Sequence, residues 1–226
     1  MSFAELIGLT LLISRDEVKR KRSAMADQQA EVRAHDVVAV TGLIGRERQA
    51  RDRRWWSEMG KCFHPDSIVE LSWFTGSGAE FVASSEVAAR GPVSPVHHIG
   101  LPVVRFRGDR AVAEVPATIT SLDSINGVPV DLTSNIRILY RLQAHDSGWL
   151  IHGLHAIYER DTVAPVEVGA VLDLREENLG RFRRPYRYLA FLMSLRGITV
   201  GEGLYGDDQP DRVEALYTAA FEWLRG

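Results

Sequence analysis

Two adjacent histidines, His97 and His98, stand in a run of apolar and β-branched residues that predicts a strand. Alternation along a strand places His97 on one face with Ile99, Leu101 and Val103, and His98 on the other face. A neutral imidazole that lines an apolar cavity can take a proton from carbon or oxygen near pH 7. A histidine buried in the core, with its hydrogen bonds satisfied, would show the same pattern, so both interpretations stay open.

A second group of polar residues follows strand spacing in the run Val128–Leu142. One face of this run carries Asp131, Thr133, Asn135, Arg137 and Arg141. This face either meets solvent, as polar strand faces usually do, or lines a cavity. In a cavity, Asn135 or Arg137 would hold a carbonyl group or a developing oxyanion. Four aromatic residues could shape an apolar pocket for a ring-bearing substrate, or simply belong to the core: Trp73, Phe74, Trp149 and Tyr158.

Composition excludes several classes of protein. The chain has 226 residues, 45% of them hydrophobic and 25% charged, with a net charge of -3, as is typical of a soluble globular protein. The nearly balanced charge argues against a strongly cationic nucleic-acid binder. A single cysteine, Cys62, excludes an internal disulfide and a cysteine-based zinc site. No apolar run approaches the roughly 20 residues of a membrane helix, so we expect a cytoplasmic protein without a membrane partner.

The elements that must position these side chains are helices followed by hairpins. Helical spacing extends from Asp27 to Cys62, and the residue before Pro65 is expected to end it, at His64-Pro65-Asp66. The next segments are a strand Ser67–Phe74, a turn Thr75–Gly78, a helix Glu80–Ala89, and strand-like runs Val96–Phe106, Ala111–Ser121, Val128–Leu142 and Trp149–Glu159. The last four runs are separated by typical hairpin turns: Gly108-Asp109, Asn126-Gly127 and Asp146-Ser147-Gly148. This order predicts an α+β fold.

The two ends of the chain differ from the middle. Residues 1–27 form an N-terminal arm in this interpretation, either a short amphipathic helix with a basic tail or a segment that packs on a partner subunit. Residues 166–226 form a helical C-terminal extension, with helices predicted at Tyr188–Leu195 and Gln209–Leu224. The predicted domain between them covers residues 28–165.

The order and spacing of the motifs resemble the SnoaL-like branch of the nuclear transport factor 2-like superfamily. That branch includes polyketide cyclases, scytalone dehydratase, a bile-acid dehydratase, a lindane dehydrochlorinase and, more distantly, ketosteroid isomerase. The resemblance implies a cone-shaped α+β barrel, in which a bent antiparallel sheet wraps around N-terminal helices and an apolar cavity lies at the open end. It covers roughly Val32 to Pro165 and rests on Asp52-Arg53-Arg54-Trp55-Trp56, Phe63-His64-Pro65-Asp66, Ser72-Trp73-Phe74, His97-His98-Ile99-Gly100, Gly108-Asp109-Arg110-Ala111 and Asp146-Ser147-Gly148-Trp149.

The resemblance also implies a site. In dehydratase-like and dehydrohalogenase-like members, an aspartate orients a histidine on the strand that follows the short helix. The matching positions here are Asp52 and His97, because His97 rather than His98 has the family's usual spacing to Gly108. Such a dyad abstracts a proton and needs no metal and no organic cofactor. From the residues alone, Asp52 could instead pair with a neighbouring arginine or cap the next helix.

The chain departs from scytalone dehydratase at positions that help to eliminate water. Arg51 stands where that enzyme has a tyrosine before the aspartate, and Trp73 and Phe74 occupy the first strand in place of a second tyrosine. Leu101 stands where the family often has an asparagine. These departures argue against that particular dehydration and leave the substrate open.

We therefore expect a cofactor-independent lyase or isomerase that acts on a small cyclic or polyketide-like molecule. The expected catalytic residues are Asp52 and His97, and the expected substrate-binding residues are Trp73, Phe74, His98, Asn135, Arg137 and Tyr158. The alternative is a non-catalytic ligand-binding or assembly module, whose cavity is filled by side chains such as Tyr188, Phe191 or Leu192. The expected partners are a small hydrophobic or aromatic molecule and further copies of this chain, in a homodimer or homotrimer. No nucleic-acid partner is expected. The extension would cover the cavity or contact a neighbouring copy.

Overall fold

The computed structural model describes residues 19–20, 33–146, 148–201 and 203–226. The chain divides into two compact units, Met1–Val40 and Thr41–Gly226. In the first unit, residues 19–20 and 33–40 are helical. Nearly all of the expected N-terminal arm, and its border with the next domain, lie outside the described residues. The elements described below all belong to the second unit.

The second unit is a mixed α+β fold, as the order of elements predicted. It begins with helical residues 41–52, which are α1 here. The other helices are α2 (Trp56–Gly60), α3 (Gly78–Ala88), α4 (Glu176–Leu179), α5 (Arg187–Leu195) and α6 (Pro210–Arg225), with a 3-10 helix at Arg184–Tyr186. The strands are β1 (Phe63–Leu71), β2 (Phe74–Ser77), β3 (Val96–Ile99), β4 (Val103–Arg107), β5 (Arg110–Ile125), β6 (Val128–His145), β7 (Gly148–Pro165) and β8 (Tyr205–Gly206).

These strands form one bent, unclosed sheet with the order β2-β1-β7-β6-β5-β3, in which β4 also pairs with β5 and β8 with β7. The long strands β5, β6 and β7 pair antiparallel through hairpins. Asn126 and Gly127 both have positive φ, 52° and 83°, as a two-residue hairpin turn of this kind requires. The expected bent antiparallel sheet has two parallel pairings, because β1 and β8 both run parallel to β7. The long stretches of chain that separate β7 from these two strands allow them to run in the same direction.

The segment His64-Pro65-Asp66 lies inside β1, whereas the sequence predicted that it ends a helix. The helix α2 already ends at Gly60, and the chain turns before β1 begins. A proline is tolerated in this strand because the pairing of β1 with β7 is irregular between Phe63 and Ile68. No regular ladder hydrogen bond is therefore lost at the proline.

The predicted turn Thr75–Gly78 is mostly a strand, since β2 pairs with the end of β1 and the turn lies at Ser72-Trp73. The cause is the cap of α3. The Ser77 hydroxyl accepts a hydrogen bond from the Glu80 N–H at 3.2 Å, and the Glu80 carboxylate accepts one from the Ser77 N–H at 2.8 Å. This capping box fixes the start of α3 and leaves the preceding residues extended.

The predicted strand Val96–Phe106 is two strands, β3 and β4, which both pair with β5. They are interrupted at Gly100, whose N–H donates to the Pro116 carbonyl at 2.8 Å. A Cβ atom at Gly100 would lie only 2.9 Å from the Pro116 ring. Glycine is therefore required for this close approach. The interruption at Gly100 separates β3, which carries His97, from β4.

The C-terminal extension packs on both faces of the sheet. Phe191 and Leu192 of α5 join an apolar cluster that includes Leu132 of β6. Leu216 of α6 joins a different cluster that includes Leu139 of β6. Because side chains alternate along a strand, these two clusters lie on opposite faces. Both helices that the sequence predicted in the extension are confirmed to within one residue at each end.

Candidate active site

A cavity of about 800 Å³ lies in the second unit, on the face of the sheet that carries Leu132. Its walls come from the end of α1, from α3, from residues 91–95, from strands β3, β5, β6 and β7, and from α5. Most lining side chains are apolar, and a few polar ones stand among them. Several lining residues are exposed and mark the mouth, among them Arg54, Val87 and Ile198. Such a cavity suits a small organic ligand that a few polar groups orient.

Asp52 and His97 contact each other in the wall of this cavity. The His97 ring atom Nδ1 lies 2.6 Å from Asp52 Oδ1, and the main-chain N–H of His97 donates to Asp52 Oδ2 at 2.8 Å. The contact that the resemblance implied is therefore present in the structure. No arginine within the described residues forms an ion pair with Asp52.

The end of α1 holds Asp52 in an unusual position. The Trp55 N–H donates to the Ala50 carbonyl at 2.8 Å, and Arg54 has a φ of 62°, in the left-handed conformation that ends helices of this type. A carboxylate in the last turn of a helix faces the negative end of the helix dipole, which costs about 0.3–1 kcal/mol. The two hydrogen bonds from His97 offset this cost. A residue placed against its local preference in this way indicates a functional constraint.

Strand pairing and one side-chain bond bring His97 to Asp52. In β3, His97 stands opposite Ile119 of β5, and Ile119 also lines the cavity. Arg54, just beyond α1, donates to the Ser94 hydroxyl at 2.8 Å, in the segment that leads into β3. The end of α1 and the start of β3 are therefore joined beside the dyad.

Burial and pairing act in opposite directions on the pKa of each member of the dyad. Burial alone would raise the pKa of Asp52, but the hydrogen bonds from His97 outweigh it, and the pKa lies below its usual value. Burial lowers the pKa of His97, the bond to Asp52 opposes this, and the positive charge of Arg48 lowers it further. At neutral pH the pair is thus a carboxylate and a neutral imidazole.

The proton of this neutral imidazole must lie on Nδ1, because Asp52 can only accept a hydrogen bond there. The other ring nitrogen, Nε2, therefore carries a lone pair. Within the described residues, Nε2 has no hydrogen-bond partner, and the side chain lines the cavity. The arrangement can accept a proton from a bound molecule.

Arg51 differs from the other arginines at this end of α1. Arg48 is buried and bonds the equally buried Glu47, with 2.5 Å between Nε and Oε2. Arg51 is only 8% exposed, and its guanidinium carbon lies 5.8 Å from the centre of the Trp73 ring. No carboxylate in the described part of the chain lies within ion-pair distance of Arg51. Burial, with the nearby charge of Arg48, lowers its pKa to about 10, so it remains charged at neutral pH.

Three hydroxyl-bearing residues also line the cavity from the sheet: Ser121, Ser134 and Tyr158. The Tyr158 oxygen accepts a hydrogen bond from the Ser72 N–H at 3.0 Å, and burial raises the pKa of Tyr158, so the phenol keeps its proton. The Ser134 hydroxyl is fully buried and has no hydrogen-bond partner among the described residues. Buried polar groups are normally satisfied, so this hydroxyl is an exception in the cavity wall.

Of the three aromatic residues that were predicted to bind substrate, two line the cavity and one does not. Trp73 and Tyr158 line the cavity, as expected for substrate-binding residues. Phe74 lies behind the wall, with its ring centre 5.8 Å from that of Trp73 and 5.4 Å from that of Phe81. Phe81 lines the cavity itself. The prediction that Phe74 lines the substrate pocket is therefore wrong. Phe74 instead packs behind the residues that form the cavity wall.

His98, Asn135 and Arg137 were predicted to bind substrate, and the structure places them away from the cavity. His98 is exposed, and Arg137 binds Glu114 at 2.7 Å and Glu159 at 2.6 Å. The reason is strand alternation, since β6 lines the cavity with its even-numbered residues. These are Leu132, Ser134, Ile136 and Ile138. The predicted roles of His98, Asn135 and Arg137 in this cavity are therefore wrong.

The extension forms part of the cavity wall and does not fill the cavity. Leu189 and Met193, one helical turn apart on α5, line it. Phe191 and Leu192 pack in the apolar cluster beside it instead. Asp161 of β7 fixes the start of α5, because its Oδ2 accepts a hydrogen bond from the Leu189 N–H at 2.7 Å.

A metal site, a reactive thiol and a membrane-spanning helix are the other features that bear on function. Across the residues that the structure describes, no three His, Cys, Asp or Glu side chains are grouped so that they could hold a metal ion. Cys62 is a buried free thiol whose pKa burial raises to about 11, so it stays protonated at neutral pH. Among the described helices, none has both the length and the apolar character needed to cross a membrane.

Comparison with known proteins identifies the family. A sequence profile for the SnoaL-like domain matches residues 32–155. Pea pathogenicity protein 2 of Fusarium vanettenii is 26% identical over 187 residues, which cover 78% of this chain and 80% of that protein. A type 2 hexachlorocyclohexane dehydrochlorinase superposes with a TM-score of 0.53 at 12% identity, covering 63% of this chain and 97% of that one. A scytalone dehydratase-like protein of Novosphingobium aromaticivorans superposes with a TM-score of 0.50 at 14% identity, covering 63% of this chain and 95% of that one. These structures share the fold, and the profile covers more than half of the sequence: the chain belongs to the SnoaL-like family.

Proposed function

We propose that this protein is a cofactor-independent lyase or isomerase that removes a carbon-bound proton from a small cyclic substrate. The observation that carries the proposal is the state of the His97 ring. Its Nδ1 is held by Asp52 at 2.6 Å, while its Nε2 has no partner among the described residues and the side chain lines an apolar cavity. A base in this state needs no further activation.

The proposed reaction begins when Nε2 of His97 takes a proton from a carbon next to a substrate carbonyl. The C–H electron pair forms the double bond of an enolate, and the Asp52 carboxylate stabilises the imidazolium that results. The imidazolium then returns its proton in one of two ways. It protonates a departing hydroxyl, which leaves as water, or it protonates a different carbon, which shifts the double bond. Atoms and electrons balance in both routes without an oxidant.

The cavity supports a ring-bearing substrate. Its volume of about 800 Å³ lies in the range that holds a small organic molecule, and Trp73 and Tyr158 supply flat surfaces to its wall. Structural relatives named for dehydration and for dehydrochlorination share this fold. Elimination is therefore compatible with the fold, although the fold alone does not select a reaction.

Exchange of carbon-bound hydrogen with D₂O tests the proposal without knowledge of the natural substrate. The protein is incubated in D₂O with 1-indanone, 1-tetralone and 4-chromanone, and deuterium uptake at the carbon next to the carbonyl is measured by mass spectrometry. We expect the protein to accelerate uptake, and His97→Gln to reduce the acceleration by about 10²–10⁴-fold. His98→Gln is the matched control, because His98 is exposed and does not line the cavity.

Two results would contradict the proposal. Uptake no faster with the protein than in buffer would favour the alternative of a non-catalytic ligand-binding module. Equal acceleration by the His97→Gln and His98→Gln variants would show that another group removes the proton.

A further inference from the structure

Arg51 is a buried cation whose hydrogen-bond donors have no partner within the described residues. It is 8% exposed and lines the same cavity as His97. Its guanidinium carbon lies over the Trp73 ring, 5.8 Å from the ring centre. A ring face does not satisfy the five N–H groups at the edge of a guanidinium. Buried charges are normally paired, so an anionic group is expected to bind the Arg51 guanidinium.

The acids around this cavity are already engaged with other residues. Glu47 bonds Arg48, and Asp52 accepts both hydrogen bonds from His97. Arg196, which lines the cavity near its mouth, donates to Asp123 at 2.6 Å. Within the described residues, no acid is therefore left to pair with Arg51.

We propose that Arg51 binds an anionic oxygen of the substrate, either a carboxylate or an ionised ring hydroxyl, so that the natural ligands are acidic ring compounds. This inference rests on the proposed function, because it names the substrate class of the same site. The planar guanidinium suits such a group, since two parallel N–H donors match the two oxygens of a carboxylate. The guanidinium carbon lies over the Trp73 ring, 5.8 Å from its centre, and the ring accepts no conventional hydrogen bond from the N–H groups.

Binding of two isosteric probes tests the inference without catalysis. The probes are 1-naphthoate, which carries a carboxylate, and 1-naphthamide, which is neutral. Dissociation constants are measured by isothermal titration calorimetry at neutral pH. We expect the wild-type protein to bind the carboxylate about tenfold or more tightly than the amide, as a desolvated charge-assisted pair implies.

Three variants separate charge from shape. Arg51→Met keeps an apolar stem and should abolish the preference, so that both probes bind with similar affinity. Arg51→Lys keeps the charge without the planar fork and should retain part of the preference. Arg53→Met is the matched control, because Arg53 is exposed and does not line the cavity, and it should retain the full preference. Circular dichroism confirms that each variant is folded.

The inference is overturned if the wild-type protein binds both probes equally or neither of them, or if Arg51→Met retains the preference. Its failure is distinct from failure of the proposed function. A carboxylate preference without hydrogen exchange would leave the Arg51 site and remove the reaction. Exchange that depends on His97, without a carboxylate preference, would leave the reaction and remove the Arg51 site.

Discussion

The carboxylate of Asp52 accepts two hydrogen bonds from one residue, the ring Nδ1 of His97 at 2.6 Å and its main-chain N–H at 2.8 Å. The main-chain bond fixes one carboxylate oxygen, and the other oxygen then faces the ring. The ring can therefore neither turn nor change tautomer without loss of a hydrogen bond. The helix end that supplies Asp52 sets the tautomer of a histidine on a separate strand.

Asp52→Asn should keep the contact between residues 52 and 97 but should prevent Nε2 of His97 from accepting a proton. The main-chain N–H of His97 requires an oxygen at its partner position, so the amide nitrogen of the asparagine must face Nδ1. That nitrogen donates a hydrogen bond, which places the imidazole proton on Nε2. We expect kcat/KM for hydrogen exchange to fall by about 10²–10⁴-fold. A loss of less than about threefold would show that the tautomer does not matter.

Activity should fall on acidification, because protonated His97 cannot accept a proton. Burial lowers the pKa of His97 below its ordinary 6.5, so the acid limb of kcat/KM should have its midpoint below pH 6.5. The same shift affects stability. The unfolded chain binds the proton more readily, so the free energy of unfolding decreases as pH falls from 6.5 towards the pKa of the folded protein. A pH–rate profile with its midpoint above 6.5 would contradict this.

Asp161 should affect the cavity wall through the start of α5. Asp161→Ala removes the acceptor for the Leu189 N–H and should lower the free energy of unfolding by about 0.5–2 kcal/mol. Asp161→Asn keeps an acceptor oxygen and should cost less. Denaturant unfolding of the two variants checks the order, and equal losses would show that the hydrogen bond contributes nothing.

The protonation of Asp161 should make the free energy of unfolding, measured in the same way, depend on pH. Burial raises its pKa to about 6 from 3.8, so the folded protein binds more protons than the unfolded chain between these values. The contribution of Asp161 to stability therefore decreases as pH rises from 3.8 to 6. The wild-type protein should lose stability relative to Asp161→Asn between about pH 4 and about pH 7. A difference that is constant with pH would contradict the shifted pKa.

Arg137→Met should leave the chemistry intact, because Arg137 lies on the face of β6 opposite the cavity. Its ion pairs with Glu114 and Glu159 involve a side chain that is 42% exposed, so each contributes only about 0.2–1 kcal/mol. We expect a small loss of stability in denaturant unfolding and exchange kinetics within about twofold of wild type. A tenfold loss of kcat/KM would mean that this face of the sheet takes part in the reaction.

The sequence identified the two residues of the dyad through family spacing, and hairpin chemistry located the long strands. It also showed which residues of β6 share a face, but strand alternation does not say which face meets a cavity. For that reason Asn135 and Arg137 were selected and Ser134 was missed. The capping box at Ser77 could have been recognised from the sequence, and it would have corrected the turn before α3.

Other features of the site depend on tertiary structure. Arg51 is one of several arginines in sequence, and only its burial against Trp73 separates it from exposed Arg53. Leu189 and Met193 line the cavity because α5 returns to the sheet from a distant part of the chain. No local pattern fixes such a return, although their spacing of one helical turn shows that they share a face.

The expected homodimer or homotrimer, and the cytoplasmic location, stay predictions. The position of α6 bears on the first, because its Leu216 packs over Leu139 and Ile157 on the face of the sheet opposite the cavity. A pairing of two copies must therefore use another surface or displace this helix. Light scattering on the full chain, and on a Leu216→Asp variant, would separate these arrangements.

The most direct test of the account is the protonation state of the two His97 ring nitrogens, read from ¹⁵N chemical shifts in long-range ¹H–¹⁵N NMR spectra at neutral pH. The account predicts a protonated Nδ1 and an unprotonated Nε2 in the wild-type protein, and the reverse in Asp52→Asn. An imidazolium, or a proton on Nε2 in the wild-type protein, would contradict the claim that Asp52 holds His97 ready to accept a proton.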